Sequence, residues 1–396
     1  MRRSLPLAGL RVVEFSHMVM GPTAGLILAD LGADVIKVEP VGEGDKTRRL
    51  GGSGAGYFPA YNRNKRSLAV DLKSPEGQAL ARRLALSADI VTENFSQGAL
   101  EGLGLGAAAL RAENPRLIYC SMKGFLTGPY QDRAALDEVV QMMGGLAFMT
   151  GPPGQPLRAG ASVNDVMGGM FAVIGILAAL HERDRSGQGQ TVRSGLYENN
   201  AFLVAQHMAQ AVVTGTPAAP MPVRVSAWAI YDVFATSDGS QIFVAVVSDT
   251  QWVKFCKAFA LGDLLADESL ATNTRRVAAR DRLIPRLRAL FLQRLRSEIE
   301  AACETAGLPC APIRRPDELF DDPHLNHPGA MLTLTLPGGV PLPLPALPLE
   351  LEGERLGLRR DLPEPGEHSL AVVEELGLRL EEIDRLVALG VISFPA

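Results

Sequence analysis

The chain has 396 residues, 47% of them hydrophobic and 21% charged, with a net charge of -5. That make-up belongs to a globular protein with material for more than one core, and it excludes a disordered or collagen-like chain. Basic and acidic residues are interspersed, so no basic face marks a nucleic-acid partner, and an anionic ligand has to be met by local groups.

The amino terminus, MRRSLPLAGLRVVEF, starts basic, but Arg11 interrupts its apolar run before an export signal is reached. Strand and helix patterns then alternate: LRVVEFS (strand), GPTAGLILADLGA (helix), DVIKVEP and SLAVDL (strands), SPEGQALARRLALSA (helix), DIVTENF and RLIYCSMKGF (strands). Short β-branched runs separated by helices predict a parallel sheet with helices on both faces, a doubly wound, Rossmann-like α/β domain. Ser74, with Pro75 after it, reads as the N-cap of the second helix. No GxGxxG follows the first strand, where SHMVMGPTAG stands instead, and neither a P-loop nor HExxH occurs, so no dinucleotide and no tightly bound cofactor are expected.

The apolar run from Val166 to Leu180 is bounded by Asp165 and HERDR and falls short of the roughly 20 residues that cross a bilayer. It is expected to be a buried helix rather than a membrane span. The Pro-rich GTPAAPMPVRVSAW opens a linker, and YDVFATSDGSQIFVAVV is a hairpin pattern around Asp238-Gly239. Helical stretches and the extended LPCAPI complete a small α+β module. LTLTLPGGVPLPLPALPLELEG is too rich in proline for a helix and reads as a return linker or edge strands. The tail SLAVVEELGLRLEEIDRLVALGVIS is expected as an amphipathic helix docking on the first domain. The expected layout is 1–212 as the first part of the large domain, 213–228 as linker, 229–325 as the small domain, 326–350 as return linker and 351–396 as the rest of the large domain.

Cys120, Cys256, Cys303 and Cys310 form no CxxC pair, which reads as reduced thiols in a cytoplasmic protein, and His181, His207, His324, His327 and His368 show no metal-ligand spacing. Asp165 is read two ways. It is an N-cap for the apolar helix, or it is an ionised nucleophile kept charged by the positive helix end, with Gly168 and Gly169 leaving room for a substrate. Asp137 opens a second apolar pattern near glycines and has the same two readings. Anion-handling candidates are Lys46, Arg48 and Arg49 in EPVGEGDKTRRL and Arg63, Lys65 and Arg66 in YNRNKRS, while His17 follows the first strand.

These segments carry a resemblance. LPLAGLRVVEFSHMVMGPTAGLILADLGADVIKVEP, GDKTR, NRNKRSLAVDLKSPEG, ADIVTENFSQGAL, NPRLIYCSMKGF, LDEVVQMMGGL and VNDVMGGMFAVIGILAALHERDRSGQGQ, with DDPHLN and GEHS later, together resemble the family III CoA-transferases, the CaiB/BaiF group. The resemblance runs nearly end to end and implies an interlocked homodimer of ring-shaped subunits, each with a large domain made from both chain ends. It implies that Asp165 attacks an acyl-CoA thioester, passes through an anhydride and carries CoA as an aspartyl thioester. Backbone N–H groups near it are expected to stabilise the oxyanion. Asp137 aligns with a second acidic residue of the site. Coenzyme A, a substrate here, would touch His17, Met18, Lys73, Asn94 and Phe95, and Val19 stands where formyl-CoA transferase holds a glutamine. Pro40 and Gly102 replace basic residues that contact CoA phosphates in that enzyme.

Within the family, the racemase branch needs two bases about an α-carbon, and its histidine aligns with Leu136. Transfer of CoA is therefore favoured over racemisation or epimerisation, and a non-catalytic CoA-binding protein is the third reading. GDKTRRLGGSGAGYFPAYNRNKRS is similar to members acting on C4 to C6 dicarboxylates with succinyl-CoA as a donor, Arg48 and Arg63 being candidates to pair with a distal carboxylate. No membrane or nucleic-acid partner is expected.

Overall fold

The structure, a computed structural model, describes residues 4–224 and 226–395. The basic first three residues, one residue of the expected linker and the last residue of the tail lie outside the described residues. The chain divides into two compact units, Met1–Pro222 with Pro323–Ala396, and Val223–Asp322.

In chain order the larger unit contains β1 (Arg11–Phe15), α1 (Met20–Asp30), β2 (Asp34–Glu39), α2 (Tyr57–Tyr61), β3 (Arg66–Val70), α3 (Pro75–Leu86), β4 (Ile90–Glu93), α4 (Ala107–Glu113), β5 (Ile118–Lys123), α5 (Asp137–Met143), α6 (Leu146–Thr150), α7 (Val163–Ser186), β6 (Thr191–Gly195) and α8 (Leu196–Thr214). The smaller unit holds β7 (Ile230–Ala235), β8 (Gln241–Val246), α9 (Asp249–Ala258), α10 (Gly262–Ala266), α11 (Asn273–Ala278), α12 (Arg280–Phe291), α13 (Arg296–Ala306) and β9 (Cys310–Pro312). The larger unit resumes with β10 (Met331–Leu336), β11 (Val340–Pro345), β12 (Glu350–Leu351), β13 (Glu354–Arg355), α14 (Ser369–Glu375), α15 (Leu380–Ala388) and β14 (Ile392–Ser393).

The main sheet has the order β14-β3-β2-β1-β4-β5-β6. Strands β1 to β6 are mutually parallel, and β14 closes one edge antiparallel to β3. From β1 the chain adds β2 and β3 to one side and then β4, β5 and β6 to the other, and this switch in strand order between β1 and β4 opens a crevice at their carboxyl ends, the place where such sheets take ligands. Both faces are covered. Val12 joins a core with Leu28 of α1 and Ile176 of α7, while its neighbour Val13 joins a second core with Leu84 of α3 and Val372 of α14. A strand buried on both faces tends to an apolar run, and in β1 that run, Val12, Val13 and Phe15, is broken only by the buried, ion-paired Glu14. Ser74 caps α3, its hydroxyl accepting from the Gly77 N–H at 3.0 Å.

One expectation needs correction. The tail is not one helix: Gly377 at φ +77° stops α14, α15 follows, and the β-branched end turns into β14 on the sheet edge. Of the two readings of the proline-rich stretch, the structure takes the strands: it is a hairpin, β10 on β11, in which Pro341, Pro343 and Pro345 occupy every second position. Having no N–H, these prolines sit where the strand faces away from its partner, and they leave the outer edge poor in donors. In the smaller unit, β7 and β8 pair around Gly239 at φ +75°, and β9 adds to β8. Helix α7, at 24 residues, is longer than its apolar run suggests and is long and apolar enough to cross a membrane by length and composition alone. Its Gly168, Ala172, Ile176 and Leu180 are buried in the protein core.

Candidate active site

A cavity of about 740 Å³ opens at the carboxyl edge of the sheet. Its walls come from the turn after β1 (His17, Met18, Val19), the turn after β4 (Asn94, Phe95), the end of β5 (Lys123, Gly124), the start of α5 (Leu136, Asp137, Glu138), Arg158, and Asp165 in the first turn of α7. The switch point of the sheet and the mouth of the long apolar helix thus share one space. Of the ten residues singled out for the site, His17, Met18, Val19, Asn94, Phe95, Asp137 and Asp165 meet there.

Asp165 is not a helix cap. The N-cap position belongs to Ser162, whose side chain makes no capping bond, and Asp165 is the third helical residue. The cap comes from another helix: Asp137 Oδ1 accepts from the backbone N–H groups of Asn164 at 2.8 Å and Asp165 at 3.1 Å, while its Oδ2 accepts from Gln141 Nε2. The Val163 N–H bonds to Ala161 O at 2.9 Å and the Val166 N–H to Ser162 O at 3.0 Å. These first amides of α7 are thus engaged already, which removes them from the nearby backbone N–H groups that were expected to stabilise an oxyanion. The Asp165 carboxylate itself makes no hydrogen bond or ion pair among the described residues.

That arrangement reverses an electrostatic expectation. Instead of being kept ionised by the helix end, Asp165 is pushed up to about 7, first by burial and second by the Asp137 carboxylate, with Arg158 pulling the other way. The positive helix end has been met by Asp137, which leaves its repulsion of Asp165 in place. The glycines also differ from expectation. A Cβ on Gly169 would lie 2.7 Å from Thr23 Cβ and 2.8 Å from Met20 O, and one on Gly168 would lie 2.4 Å from Met20 Cε. They let α1 approach α7; they do not make room for substrate.

The corner after β1 is held from below by buried charge. Lys37 Nζ donates to Ser16 O at 2.6 Å and pairs with Asp45 at 2.9 Å, and Lys65 Nζ pairs with Glu14 at 2.9 Å and donates to Pro22 O at 3.0 Å. Burial lowers Lys65 to about 8 against the pull of Glu14, whereas for Lys37 three carboxylates outweigh burial and raise it. Above this base Met18 adopts φ +65°, a strained conformation for a side-chain-bearing residue, with its N–H on Thr47 Oγ1 at 3.1 Å. Asn94 locks the two turns together, accepting from the His17 N–H at 3.0 Å and donating to His17 O at 2.9 Å. The His17 and Phe95 rings stack at 5.4 Å. Desolvation lowers His17, so its ring is neutral near pH 7. Beneath Phe95, Glu93 accepts from Ser121 and from Lys123 Nζ at 2.7 Å, and Lys123 also donates to Phe95 O at 2.6 Å.

Three candidates lie elsewhere. Arg63 is buried against Asp30 at 2.7 Å, and Arg48 forks onto Glu39 at 2.7 and 2.8 Å with its guanidinium 3.7 Å from the Phe58 ring. Both are structural pairs, and neither lines the cavity. Lys73 is exposed in the turn before α3 and is also outside the lining. Sequence reasoning missed Gln141, Lys123 and Arg158. Arg158 had a signal, being the lone cation in the Gly- and Pro-rich connection GPPGQPLRAGAS, which leads into the helix carrying Asp165.

Residues 7–369 match the family model of CoA-transferase family III. The chain is 38% identical to the succinate–glutarate CoA-transferase of Agrobacterium fabrum over 94% of this chain and 96% of that protein. It is 37% identical to the succinyl-CoA–D-citramalate CoA-transferase of Chloroflexus aurantiacus over 81% of each. Among solved structures, a CaiB/BaiF family protein from Brucella suis superposes with a TM-score of 0.83 at 37% identity, covering 94% of this chain and all of that one. With the parallel sheet, the cavity at its switch point and this likeness along nearly the whole chain, the protein belongs to CoA-transferase family III and is a transferase.

Proposed function

We propose that the protein moves CoA from succinyl-CoA to a dicarboxylic acid through covalent intermediates on Asp165. The observation that carries this reading is the Asp165 carboxylate: half-buried, in a cavity wall, with both oxygens free of partners while its backbone is clamped. A carboxylate oxygen attacks the thioester carbon, the C–S bond breaks, and CoA thiolate leaves an acyl-aspartyl anhydride. The thiolate then attacks the aspartyl carbonyl, releasing succinate and forming the aspartyl-CoA thioester. The acceptor carboxylate attacks that thioester to give a second anhydride, and thiolate attack on the acceptor's carbonyl releases the new acyl-CoA and restores Asp165. Only a carboxylate passes through both adducts without another energy source. Asp137 positions the nucleophile; His17, Met18, Asn94 and Phe95 form the wall offered to CoA. The choice of succinyl-CoA and a dicarboxylate rests on the activities named for the relatives.

Two other readings fare worse. At the racemase branch's histidine position stands Leu136, exposed in the cavity wall and unable to move a proton. A CoA-binding scaffold has no use for a half-buried carboxylate raised toward neutrality, an arrangement that concentrates at functional sites. The protein is read as a cytosolic homodimer, in keeping with the exposed apolar side chains of Met170 and Ile174 on α7 and Phe202, Val212 and Val213 on α8. Light scattering should give twice the chain mass, and a monomer would refute this pairing.

The decisive experiment mixes the protein with succinyl-CoA, quenches with hydroxylamine and maps hydroxamate by peptide mass spectrometry. A label on Asp165 is expected. No label with several acyl-CoA donors, together with solvent deuterium at the acyl α-carbon, would overturn the transfer reading in favour of racemisation.

A further inference from the structure

We infer that Arg158 receives the second carboxylate of the acid substrate and so sets the preference for diacids over monoacids. The inference rests on the proposed dicarboxylate reaction and assigns it a residue.

The cavity wall carries four basic side chains: His17, Lys123, Arg133 and Arg158. His17 is neutral near pH 7. Lys123 is held by Glu93 and the Phe95 carbonyl, and so braces the turn after β4. Arg133 lies 5.0 Å over the Tyr130 ring, on an exposed loop. Arg158 differs from all three. It is half-buried, its charge reaches Asp165, and it is built into the clamp that holds the nucleophile. Gln141 makes that link. Its Nε2 donates to Asp137, which holds the Asp165 amide, and its Oε1 accepts from the Ala159 N–H at 2.8 Å, fixing the backbone next to Arg158.

The Arg158 guanidinium has three nitrogens. Nε donates to Ala159 O at 3.1 Å, Nη1 pairs with the Glu138 carboxylate, and Nη2 makes no hydrogen bond among the described residues. Glu138 is exposed and also lines the cavity. A planar fork held at one corner, with one side free and the other on an exchangeable exposed carboxylate, suits two-point capture of a carboxylate. A diacid with one carboxyl on Asp165 and the other on Arg158 would bridge the two ends of a single hydrogen-bonded clamp, whereas a monoacid would present a methyl group to the guanidinium and leave Nη2 without an acceptor. Glu138 competes with that second carboxylate for the same nitrogens.

The test is internal competition. Succinyl-CoA is supplied with equimolar glutarate and valerate, and the ratio of glutaryl-CoA to valeryl-CoA formed at early times is read by mass spectrometry. Both acids compete for the same aspartyl-CoA intermediate, so the ratio is independent of the donor half-reaction. In the unaltered protein glutarate should win. In Arg158→Gln the ratio should fall by about a hundredfold, consistent with loss of a charged, two-point contact. Arg158→Lys should restore part of it, and Glu138→Gln should raise the ratio by removing the competitor. Arg133→Gln is the comparator, expected to leave the ratio within twofold. A ratio unchanged in Arg158→Gln while total turnover falls, or one that collapses in Arg133→Gln instead, would overturn the assignment while leaving the dicarboxylate reaction standing. Preference of the unaltered protein for valerate would overturn the dicarboxylate reading itself, and this inference with it.

Discussion

Replacing Asp137 with asparagine separates the two effects this residue has on its neighbour. The amide side chain keeps a carbonyl oxygen that can accept from the Asn164 and Asp165 amides, now 2.8 and 3.1 Å from Asp137 Oδ1, so the first turn of α7 stays capped. What disappears is a negative charge beside Asp165. Asp165 is raised from 3.8 to about 7, with burial the larger cause and Asp137 the second. At a separation on the order of 6 Å and an effective dielectric of about 20, two such charges repel by about 3 kcal/mol. Solvent at this half-buried site reduces that, so a fall of about one pKa unit, or 1.4 kcal/mol, is the expected result. Only the ionised carboxylate attacks the thioester, so the reaction rises with pH through this pKa. The acid limb for Asp165 labelling by succinyl-CoA should therefore move from near 7 in the parent to about 6 in Asp137→Asn, and the rate at pH 6 relative to each plateau should rise about fivefold. Rapid-quench hydroxamate formation from pH 5 to 9 measures this, and using one donor for both proteins removes the donor's own titration. A limb that stays near 7, or moves up, would refute the electrostatic role given to Asp137.

Three further outcomes follow from the same contacts. Because folding raises Asp165, its protonated form favours the native state, and that contribution is lost as pH rises through about 7. Asp165→Asn should therefore abolish labelling yet gain, relative to the parent, on the order of 1 to 2 kcal/mol more stability at pH 8 than at pH 5, read from denaturant midpoints; the same difference from the parent at both pH values would contradict it. Gly169→Ala should destabilise by about 1 to 3 kcal/mol, since its methyl would meet the Met20 carbonyl and Thr23 Cβ, while Gly168→Ala should cost less because the flexible Met20 side-chain tip can move; the reverse order would count against the helix crossing described. Lys65→Met should lower stability by about 3 to 5 kcal/mol by removing a buried partner of Glu14, and an unchanged midpoint would show that Lys37 suffices.

Much of this architecture was legible because it depends on local, repeated chemistry. Val12 and Val13 fill opposite cores, so β1 reads as a short β-branched strand, and Ser74 with Pro75 marks its helix start by the same rule that caps it. Five of the six parallel strands are among the runs read from sequence, and a doubly wound sheet takes ligands at its carboxyl edge, whereas β6 (Thr191–Gly195), short and exposed over its first half, left no such run. Arg48 and Arg63 misled for a related reason: Arg48 follows β2, as ligand-binding residues do, and Arg63 in fact precedes β3, but each is partnered by an acid from another element, Glu39 or Asp30, and such a pairing leaves no mark on either residue's neighbours. Gly377 likewise looked compatible with one tail helix until its left-handed conformation ended α14.

The setting of Asp165 was illegible for a deeper reason, and the same reason suits the residue to the nucleophilic role proposed for it. An aspartate at a helix mouth ordinarily turns its side chain back to cap the exposed amides, and a carboxylate so engaged is stabilised, less basic and a poorer nucleophile. Here a second aspartate, 28 residues earlier, supplies the cap from α5. That substitution releases both Asp165 oxygens, places a like charge next to them and raises the group toward neutral pH, so that basicity and access increase together. Gln141 then ties the capping aspartate to the segment bearing Arg158, so the group that positions Asp165 also fixes the opposite charge nearby. A pattern of one carboxylate and two glycines cannot distinguish a capping aspartate from one relieved of capping. The distinction lies in which residue satisfies the helix amides, and only the folded chain brings Asp137 to them.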